Sequence, residues 1–475
     1  MKKISFLFFL LFGITTFAQT KKWTLEECVT HALKNNISLQ LSNLDIQASK
    51  IEKQSAYGNF LPRVNADASH AWNIGLNQNI TTGLLENQTT QFTSAGLNAN
   101  VVIYNGLQNQ NRFRRANMAI IASQYQLSKM KDDVSLNVAN AFLQILFNKE
   151  NIKILTEQLE NDKKQQTRTK ELITAGSIPK GDINDINATI ATDNQRIVAA
   201  QNQYLLSKLS LAQLLQLKDF QAFDIEDENY PVTVSEVMFQ TPETIFNKAK
   251  ENRNEIKIAK LNLDIAQKDI EIAKGGYQPT VNGFYSFNTR VSYADRFVGL
   301  EPNTANPTTP IGFLPSSGEL VVQPNSSPIL GKPEPFFDQL KNNKGQNFGL
   351  QLQIPIFNGF SVKNNIDRSK VALERNKMAL SQTELDLERA VYTAFADANG
   401  AFKTLEAAMA TIEARELAFN YAKERFAVGM MNTFDYNQAQ LLFANAKSDA
   451  LRAKYDYIFR TKIVEFYFGI PISKK

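Results

Sequence analysis

From Val64 the chain alternates. Val64, Ala66, Ala68, His70, Trp72 and Ile74 fall on one parity and Asn65, Asp67, Ser69 and Asn73 on the other. A period of two predicts a strand with one apolar and one polar face. After a polar stretch around 77–91 the alternation resumes, with Leu97, Ala99, Val101 and Ile103 against Gly96, Asn98 and Asn100. It returns far downstream as Leu350, Leu352, Ile354 and Ile356 against Gly349, Gln351 and Gln353. Two hairpins of alternating strands per chain are expected.

Between the strands the period is helical. Residues 24–56 read as one helix: Thr24 is an N-cap candidate with Glu27 three places on, and Leu25, Ala32, Leu39 and Leu44 recur at helical spacing. Leu61-Pro62 ends it. From Leu107 to Ala175 there is neither proline nor glycine, and about 70 helical residues reach on the order of 100 Å. Leu387, Val391, Ala394, Ala398, Ala401, Leu405, Ala408 and Ile412 alternate steps of four and three. The same register upstream gives Val134, Val138, Ala141, Ile145, Asn148, Ile152, Leu155 and Leu159. Such a seam predicts supercoiled packing, with alanines permitting close approach. Gly176 and Gly429 interrupt the long helices, and new ones are expected near Asp182 and Asp435, running to about Leu217 and Gly469. The result is two helical hairpins, each with a glycine at its tip.

These elements occur twice. Residues 96–217 overlie 349–470 without a gap at an offset of about 253, pairing Gly96/Gly349, Asn105/Asn358, Gly106/Gly359, Phe142/Phe395, Gly176/Gly429, Asp182/Asp435 and Tyr204/Tyr457. A second gap-free match, at an offset of about 217, runs from Ala32/Ala249 through Leu44/Leu261 and Gly58/Gly275 to Pro62/Pro279. The offsets differ by about 36 residues, so the second half carries one insertion, between Pro279 and Gly349. That insertion holds Pro302, Pro307, Pro310, Pro315, Pro324, Pro328, Pro333 and Pro335, more than half of the 15 prolines, and reads as a long irregular loop. The expected organisation is a leader (1–18), a first repeat (19–217), an acidic linker (218–241), a second repeat (242–470) with its insertion at about 290–346, and a short tail (471–475).

Composition narrows the class. Lys2, Lys3, the apolar run 4–12 and Thr16-Phe17-Ala18 have the form of a secretory signal, predicting a mature start at Gln19. No later apolar run reaches the length of a membrane helix. Net charge is +5, about +3 without the two leader lysines, too mild to suggest nucleic acid. Cys28 is the only cysteine, so no intramolecular disulfide forms; it reads as a small apolar side chain on the first helix. His31 and His70 lack metal-ligand spacing, and there is neither a phosphate-binding glycine loop nor a nucleophile elbow. No catalytic residue, cofactor or metal site is expected, and the chain does not read as an enzyme. Tyr104-Asn105-Gly106 and Phe357-Asn358-Gly359 close the strands with the residues of a sharp strand-to-helix turn.

Strands with an apolar and an Asn/Gln face suit a soluble sandwich or a membrane barrel. Four strands separated by such long helices are too few for a sandwich core. A membrane barrel wants lipid on one face and a water-filled lumen on the other. Trp72, Tyr104, Phe284, Tyr285 and Phe357 lie along the strands or near their ends, suited to an interface belt or to packing. Four strands cannot close alone in lipid, so several copies are required; two, three or four would give eight, twelve or sixteen strands. A periplasmic coiled-coil adaptor or structural spacer is the alternative, although such a protein has no use for strands faced with Asn and Gln.

Leader, helix, hairpin strands, long helix and glycine-tipped return, duplicated and with Ile354-Pro355-Ile356-Phe357-Asn358-Gly359 at the strand exit, resemble the TolC-like outer membrane efflux proteins from Trp23 to Pro471. The resemblance implies a mainly α fold with a membrane β-sheet: a duplicated α-helical barrel in the periplasm, and four strands per chain in a trimeric twelve-stranded outer membrane β-barrel. It implies a passive exit duct of an efflux or type I secretion system. Implied partners are two further copies, a periplasmic adaptor (membrane fusion) protein, an inner-membrane efflux pump or ABC transporter, and outer membrane lipid.

The resemblance also marks the tip residues. Family tips carry a Gly followed six residues later by an Asp, here Gly176/Asp182 and Gly429/Asp435, with Asp185 an additional acid and Gln438 at its counterpart. Where the best-known members place Tyr and Arg, this chain has Phe426 and Met431, so an apolar constriction with Val428 and Met430 competes with a polar lock. Asp182, Asp185 and Asp435 from several copies would ring the narrow end and favour cations. Equally, Asp182 and Asp435 would simply cap the returning helices.

Overall fold

The structure is a computed structural model describing residues 22–78, 83–219, 223–227 and 230–471; the leader at 1–18 lies outside these, as does most of the tail. The elements are β1 (Lys22–Trp23), α1 (Leu25–Asn35), α2 (Ile37–Gly58), β2 (Arg63–Gln78), β3 (Leu85–Asn105), α3 (Gln108–Thr174), α4 (Asp182–Leu214), β4 (Asp224–Ile225), α5 (Pro242–Asn252) and α6 (Asn254–Lys274). They continue with β5 (Thr280–Ser292), β6 (Arg296–Pro302), β7 (Thr308–Phe313), β8 (Leu320–Pro324), β9 (Ser326–Gly331), α7 (Phe336–Asn342), β10 (Gly345–Gln353), α8 (Ser361–Ala427) and α9 (Thr433–Phe468). Residues form two compact units, one from residues up to 50, 117–266 and from 372 onward, the other from 51–116 and 267–371.

The first unit is helical. Thr24 caps α1 through a reciprocal box, its hydroxyl accepting from the Glu27 amide at 3.2 Å while its own amide donates to the Glu27 carboxylate at 3.3 Å. The expected single helix over 24–56 is broken at Asn36, whose backbone is extended (ψ 130°). No proline or glycine causes this. The Asn36 side chain donates to the Leu214 carbonyl at 3.1 Å and accepts from the Ser38 amide at 2.9 Å, so one tertiary bond and one local cap on α2 hold the break. Its counterpart Arg253 is likewise extended (ψ 134°) and separates α5 from α6. The seam packs as its spacing predicts: Val138, Ile145 and Ala398 are fully buried, and Val134, Asn148, Leu159, Leu387, Val391, Ala401 and Leu405 are buried. Around Phe142 and Ile145 collect Cys28, Val29, Ala32, Leu211, Leu215, Phe223 and Ile225. Burial pushes the Cys28 thiol up to about 12, aided by Glu27, and the thiol stays neutral.

The linker, featureless by periodicity, is docked in its described parts. Its β4 pairs in parallel with β1, and Phe223, Ile225 and Val237 are buried. Three apolar anchors among acidic residues are too few to show as a period.

The second unit carries a four-stranded antiparallel sheet in the order β10-β5-β3-β2. Its β3 starts at Leu85, inside the stretch expected to be polar loop, because Leu85–Gln91 pair with Trp72–Gln78. Backbone pairing overrides the weak local alternation there. The repeat holds in the register: Asp67 faces Gly96 in the first hairpin and Phe284 faces Gly349 in the second, the same pair under both offsets. One face carries Ala66, Leu97, Phe287, Tyr285, Leu350 and Leu352; the other carries Asp67, Asn98, Ser286, Asn282 and Gln351. The insertion is ordered rather than irregular, with β6 pairing β9 and β7 pairing β8 as nested hairpins. Pro302, Pro310, Pro324 and Pro328 sit in two-stranded ribbons, where each strand keeps an unpaired side that tolerates a missing N–H, and the other prolines fall between the strands or after them. Gln339 of α7 ties the segment down, its side chain bonding the Ser292 amide and carbonyl, each at 2.9 Å.

Candidate functional site

Each hairpin tip is shaped by a glycine in the left-handed region, Gly176 at φ +73° and Gly429 at φ +78°. At both, the next residue's amide reaches back to the last helical turn: Ser177 to the Leu172 carbonyl (2.9 Å) and Met430 to the Arg425 carbonyl (2.8 Å). These are Schellman closures, which need a residue without Cβ strain. Both glycines are exposed.

The aspartates six residues on are not N-caps. Asp435 lies in the first turn of α9, whose cap is Asn432, accepting from the Asp435 amide at 2.8 Å and donating to its carboxylate at 3.0 Å. Asp182 opens α4 behind Gly181, which offers no side-chain cap. Both acids still favour the positive end of their helix. Asp185 and Asp435 are exposed and Asp182 half-buried. Val428 and Met430 are exposed, but Phe426 stacks on Tyr436 at 4.7 Å between ring centroids. Arg168 of α3 lies 5.8 Å over the Phe426 ring and donates to the Ala427 carbonyl at 3.0 Å, tying the first hairpin to the end of α8. Met431 takes no part in this tie among the contacts described.

Deeper between α3, α4 and α9 lies a group the sequence reading missed. Asp162 is 1 % exposed and Asp193 2 %. Gln440 donates to Asp162 Oδ1 at 2.7 Å, and Gln158 donates to both Asp193 oxygens at 3.0 and 3.2 Å. Burial pushes the Asp162 carboxyl up to about 8, reinforced by the hydrogen bond and charge of Asp193 and opposed by Gln440. Asp162 Oδ2 accepts no hydrogen bond, which leaves it to carry the proton that burial favours on this carboxyl. Arg196 approaches Asp193 at 3.7 Å. A cavity of about 390 Å³ adjoins the pair, also lined by Asp185, Asn437 and Gln438. A signal existed: the three-and-four spacing runs past Leu159 into Asp162 and Thr169, both 1 % exposed, so the seam continues in polar residues.

In the second unit the strand-to-helix turns are twins. Gly106 and Leu107 (φ +65° and +61°) match Gly359 and Phe360 (+60° and +63°). Asn105 braces its turn by accepting from the Asn109 amide at 3.3 Å. Gly106 lies against Gly275 so closely that a Cβ on it would stand 2.3 Å from the Gly275 carbonyl oxygen. Asn358 holds its turn through its carbonyl, which accepts from the Ser361 amide at 3.2 Å. His70 is an exposed strand residue bonded to Thr93 at 2.7 Å, and His31 packs edge-on to Trp23 at 5.0 Å. Among the described residues no group of three or more His, Cys, Asp and Glu is placed to hold a metal, and no helix is long and apolar enough to cross a membrane.

The family described as "Outer membrane efflux protein" matches residues 28–216 and 245–460, one segment per repeat. The chain belongs to the outer membrane efflux protein family, and it is therefore an outer membrane efflux channel rather than a periplasmic spacer. Solved structures share the fold. The Campylobacter jejuni CmeC outer membrane channel superposes with a TM-score of 0.75 at 17% identity, over 95% of this chain and 87% of that one. The outer membrane protein VceC from Vibrio cholerae gives 0.73 at 13% identity, over 94% and 97%. The open state of the Neisseria gonorrhoeae MtrE outer membrane channel gives 0.66 at 16% identity, over 94% and 88%. Among curated proteins none matches.

Proposed function

We propose that three copies of this chain form a passive duct through the outer membrane, the terminal stage of a tripartite efflux or type I secretion system. The supporting observation is the two-faced sheet: four strands, one apolar face, one face rich in Asn and Gln, and edge strands β2 and β10 each paired on one side only. In lipid such edges must be joined, and three chains give twelve strands. Exposed Trp72, Phe348 and Phe357 supply aromatic side chains for the membrane interface. The hairpin tips meet a periplasmic adaptor, and an inner-membrane pump or ABC transporter supplies the energy and the selectivity. Asp182, Asp185 and Asp435 favour cations at the narrow end by their combined field, while Arg168, Phe426 and Tyr436 hold the hairpins together.

The test is a deletion strain challenged with toxic small molecules and assayed for secreted proteins, complemented by the intact gene. Restored resistance or secretion, with a trimer in the outer membrane fraction, is expected. Full resistance and secretion in the deletion strain would refute the duct.

A further inference from the structure

The insertion puts a helix where the first repeat has none. Thr289 and Val291 of β5 share the parity of Tyr285 and Phe287 on the apolar face of the sheet, yet they are only 7 and 1 % exposed. Their cover is α7. The Thr289 hydroxyl donates to the Leu340 carbonyl at 2.9 Å, and Gln339 bonds both backbone groups of Ser292. Under the offset of about 217, their counterparts in β2 are Trp72 and Ile74, which are 59 and 83 % exposed. One repeat leaves this level of the apolar face bare, and the other lays α7 across it. The level is that of a membrane surface. A strand crosses the hydrocarbon in about 9–11 residues, and that count from Arg63 and Thr280, where β2 and β5 begin, ends at Trp72–Ile74 and at Thr289–Val291. The side chains there are of the interface type: His70 packs edge-on to Trp72 at 4.3 Å and to Tyr293 at 5.6 Å. Since the turns at Asn105 and Asn358 lead into the long helices at the opposite end of the sheet, α7 lies at the outer leaflet.

The other edge of α7 is turned away from the sheet. Gln339 is buried and Leu340 half-buried, whereas Phe337 is 79 % exposed and Lys341, one turn on, is exposed beside it. Lys344 follows, exposed, one residue before β10 and on the parity of exposed Phe348, Leu350 and Leu352. Among the described residues neither lysine meets a carboxylate. Glu334 is engaged by Arg296 at 2.9 Å, which leaves Asp338 as the acid of this edge.

We propose that α7 and Lys344 form a binding site for a phosphorylated lipid of the outer leaflet, an acylated sugar phosphate of the lipid A class. This rests on the outer membrane barrel reading and names the lipid that the second repeat selects. Phe337 and Phe348 meet the acyl chains, while Lys341 and Lys344 run their stems along the apolar surface and hold their ammonium groups at the level of the phosphates. A phosphomonoester brings a charge of about −1.5 to −2 and three acceptor oxygens. Two unpaired ammonium groups, each a compact point charge with three donors, suit it better than they suit a zwitterionic head group. Each lysine near an anionic lipid surface strengthens binding about fivefold, and Asp338 works against both.

The experiment titrates the intact protein, purified from outer membranes in detergent and freed of lipid, with diphosphoryl lipid A, read by native mass spectrometry. Dephosphorylated lipid A, phosphatidylethanolamine and inorganic phosphate are the comparison probes. Saturable binding of lipid A, with little of the other three, is expected. Lys341→Gln with Lys344→Gln should weaken it about 25-fold, Phe337→Ser several-fold, and Asp338→Asn should strengthen it. Lys403→Gln, exposed on α8 beside Glu406, should leave it unchanged. Unchanged affinity in the double lysine variant, or equal binding of the dephosphorylated lipid, would overturn the phosphate site. Inorganic phosphate binding as tightly as lipid A would overturn the lipid as the ligand. Absence of the protein from the outer membrane fraction would overturn the barrel reading itself, whatever the lysines do.

Discussion

Replacing Asp162 by Asn puts a neutral amide where a buried carboxyl otherwise has to hold a proton. With its pKa raised from the ordinary carboxylate range to about 8, folded Asp162 holds a proton that the unfolded chain releases above pH 4. Stability is therefore greatest in acid, falls as pH rises toward 8, and levels off beyond. Each pH unit inside that window corresponds to about 1.4 kcal/mol, so the interval from pH 6 to 8 carries on the order of 2–3 kcal/mol per chain. The titratable groups around Asp162 are Asp193, Asp185 and Arg196 from α4 and Tyr436 from α9. Burial and the Asp162 charge push the Tyr436 phenol upward, and Arg168 opposes them, so Tyr436 stays neutral throughout this interval. Thermal unfolding of the detergent-solubilised protein, followed by circular dichroism from pH 6 to 9, reads this directly. The parent should lose several degrees across the interval. Asp162→Asn, able to donate an N–H to Asp193 at every pH, should stay flat and outlast the parent above pH 8. A flat parent curve, or an unchanged slope in the variant, would refute the proton held on buried Asp162.

Four further outcomes follow from the tips and the core. Asn432→Ala removes the α9 cap and should cost about 1 kcal/mol in thermal stability with little change in ion selectivity. Asp435→Ala should lower cation selectivity in single-channel recordings, and unchanged selectivity would leave that acid a purely local role. Arg168→Ala cuts the tie to Ala427 and uncovers Phe426, so larger or longer openings are expected in planar bilayers; identical conductance would show that the tie gates nothing. Phe142→Ala should destabilise the helical unit by about 3–5 kcal/mol, seen as a large drop in melting temperature.

The long helices, the tips and the two-faced strands were legible because each rests on a period sustained over many residues. Gly176 and Gly429 were legible because a Schellman closure demands what only a few residues supply. The breaks at Asn36 and Arg253 were not, since the short-range bonds to Ser38 and Glu255 are joined by contacts from far along the chain, Leu214 for Asn36 and Asp132 and Phe466 for Arg253. Prolines hid the hairpins of the insertion by mimicking the composition of a loop. Asp162 and Asp193 escaped notice because an acid on a helix normally faces water, and only the continuing seam argued otherwise. Of the two roles the sequence leaves open for Asp435, capping belongs instead to Asn432, three residues earlier, whose side chain reaches the first-turn amide.

The nested hairpins of the insertion have a practical consequence. Arg296 and Gly331 face each other across one antiparallel rung, so everything from 297 to 330 leaves and returns at nearly the same point. A segment so closed can be cut out and bridged by a short turn, or exchanged for a foreign peptide, with β5 and α7 still joined through Ser292 and Gln339. The protein thus carries a ready cassette site, one that surface-display engineering can use and that natural sequence drift can rewrite at little cost to the rest of the chain.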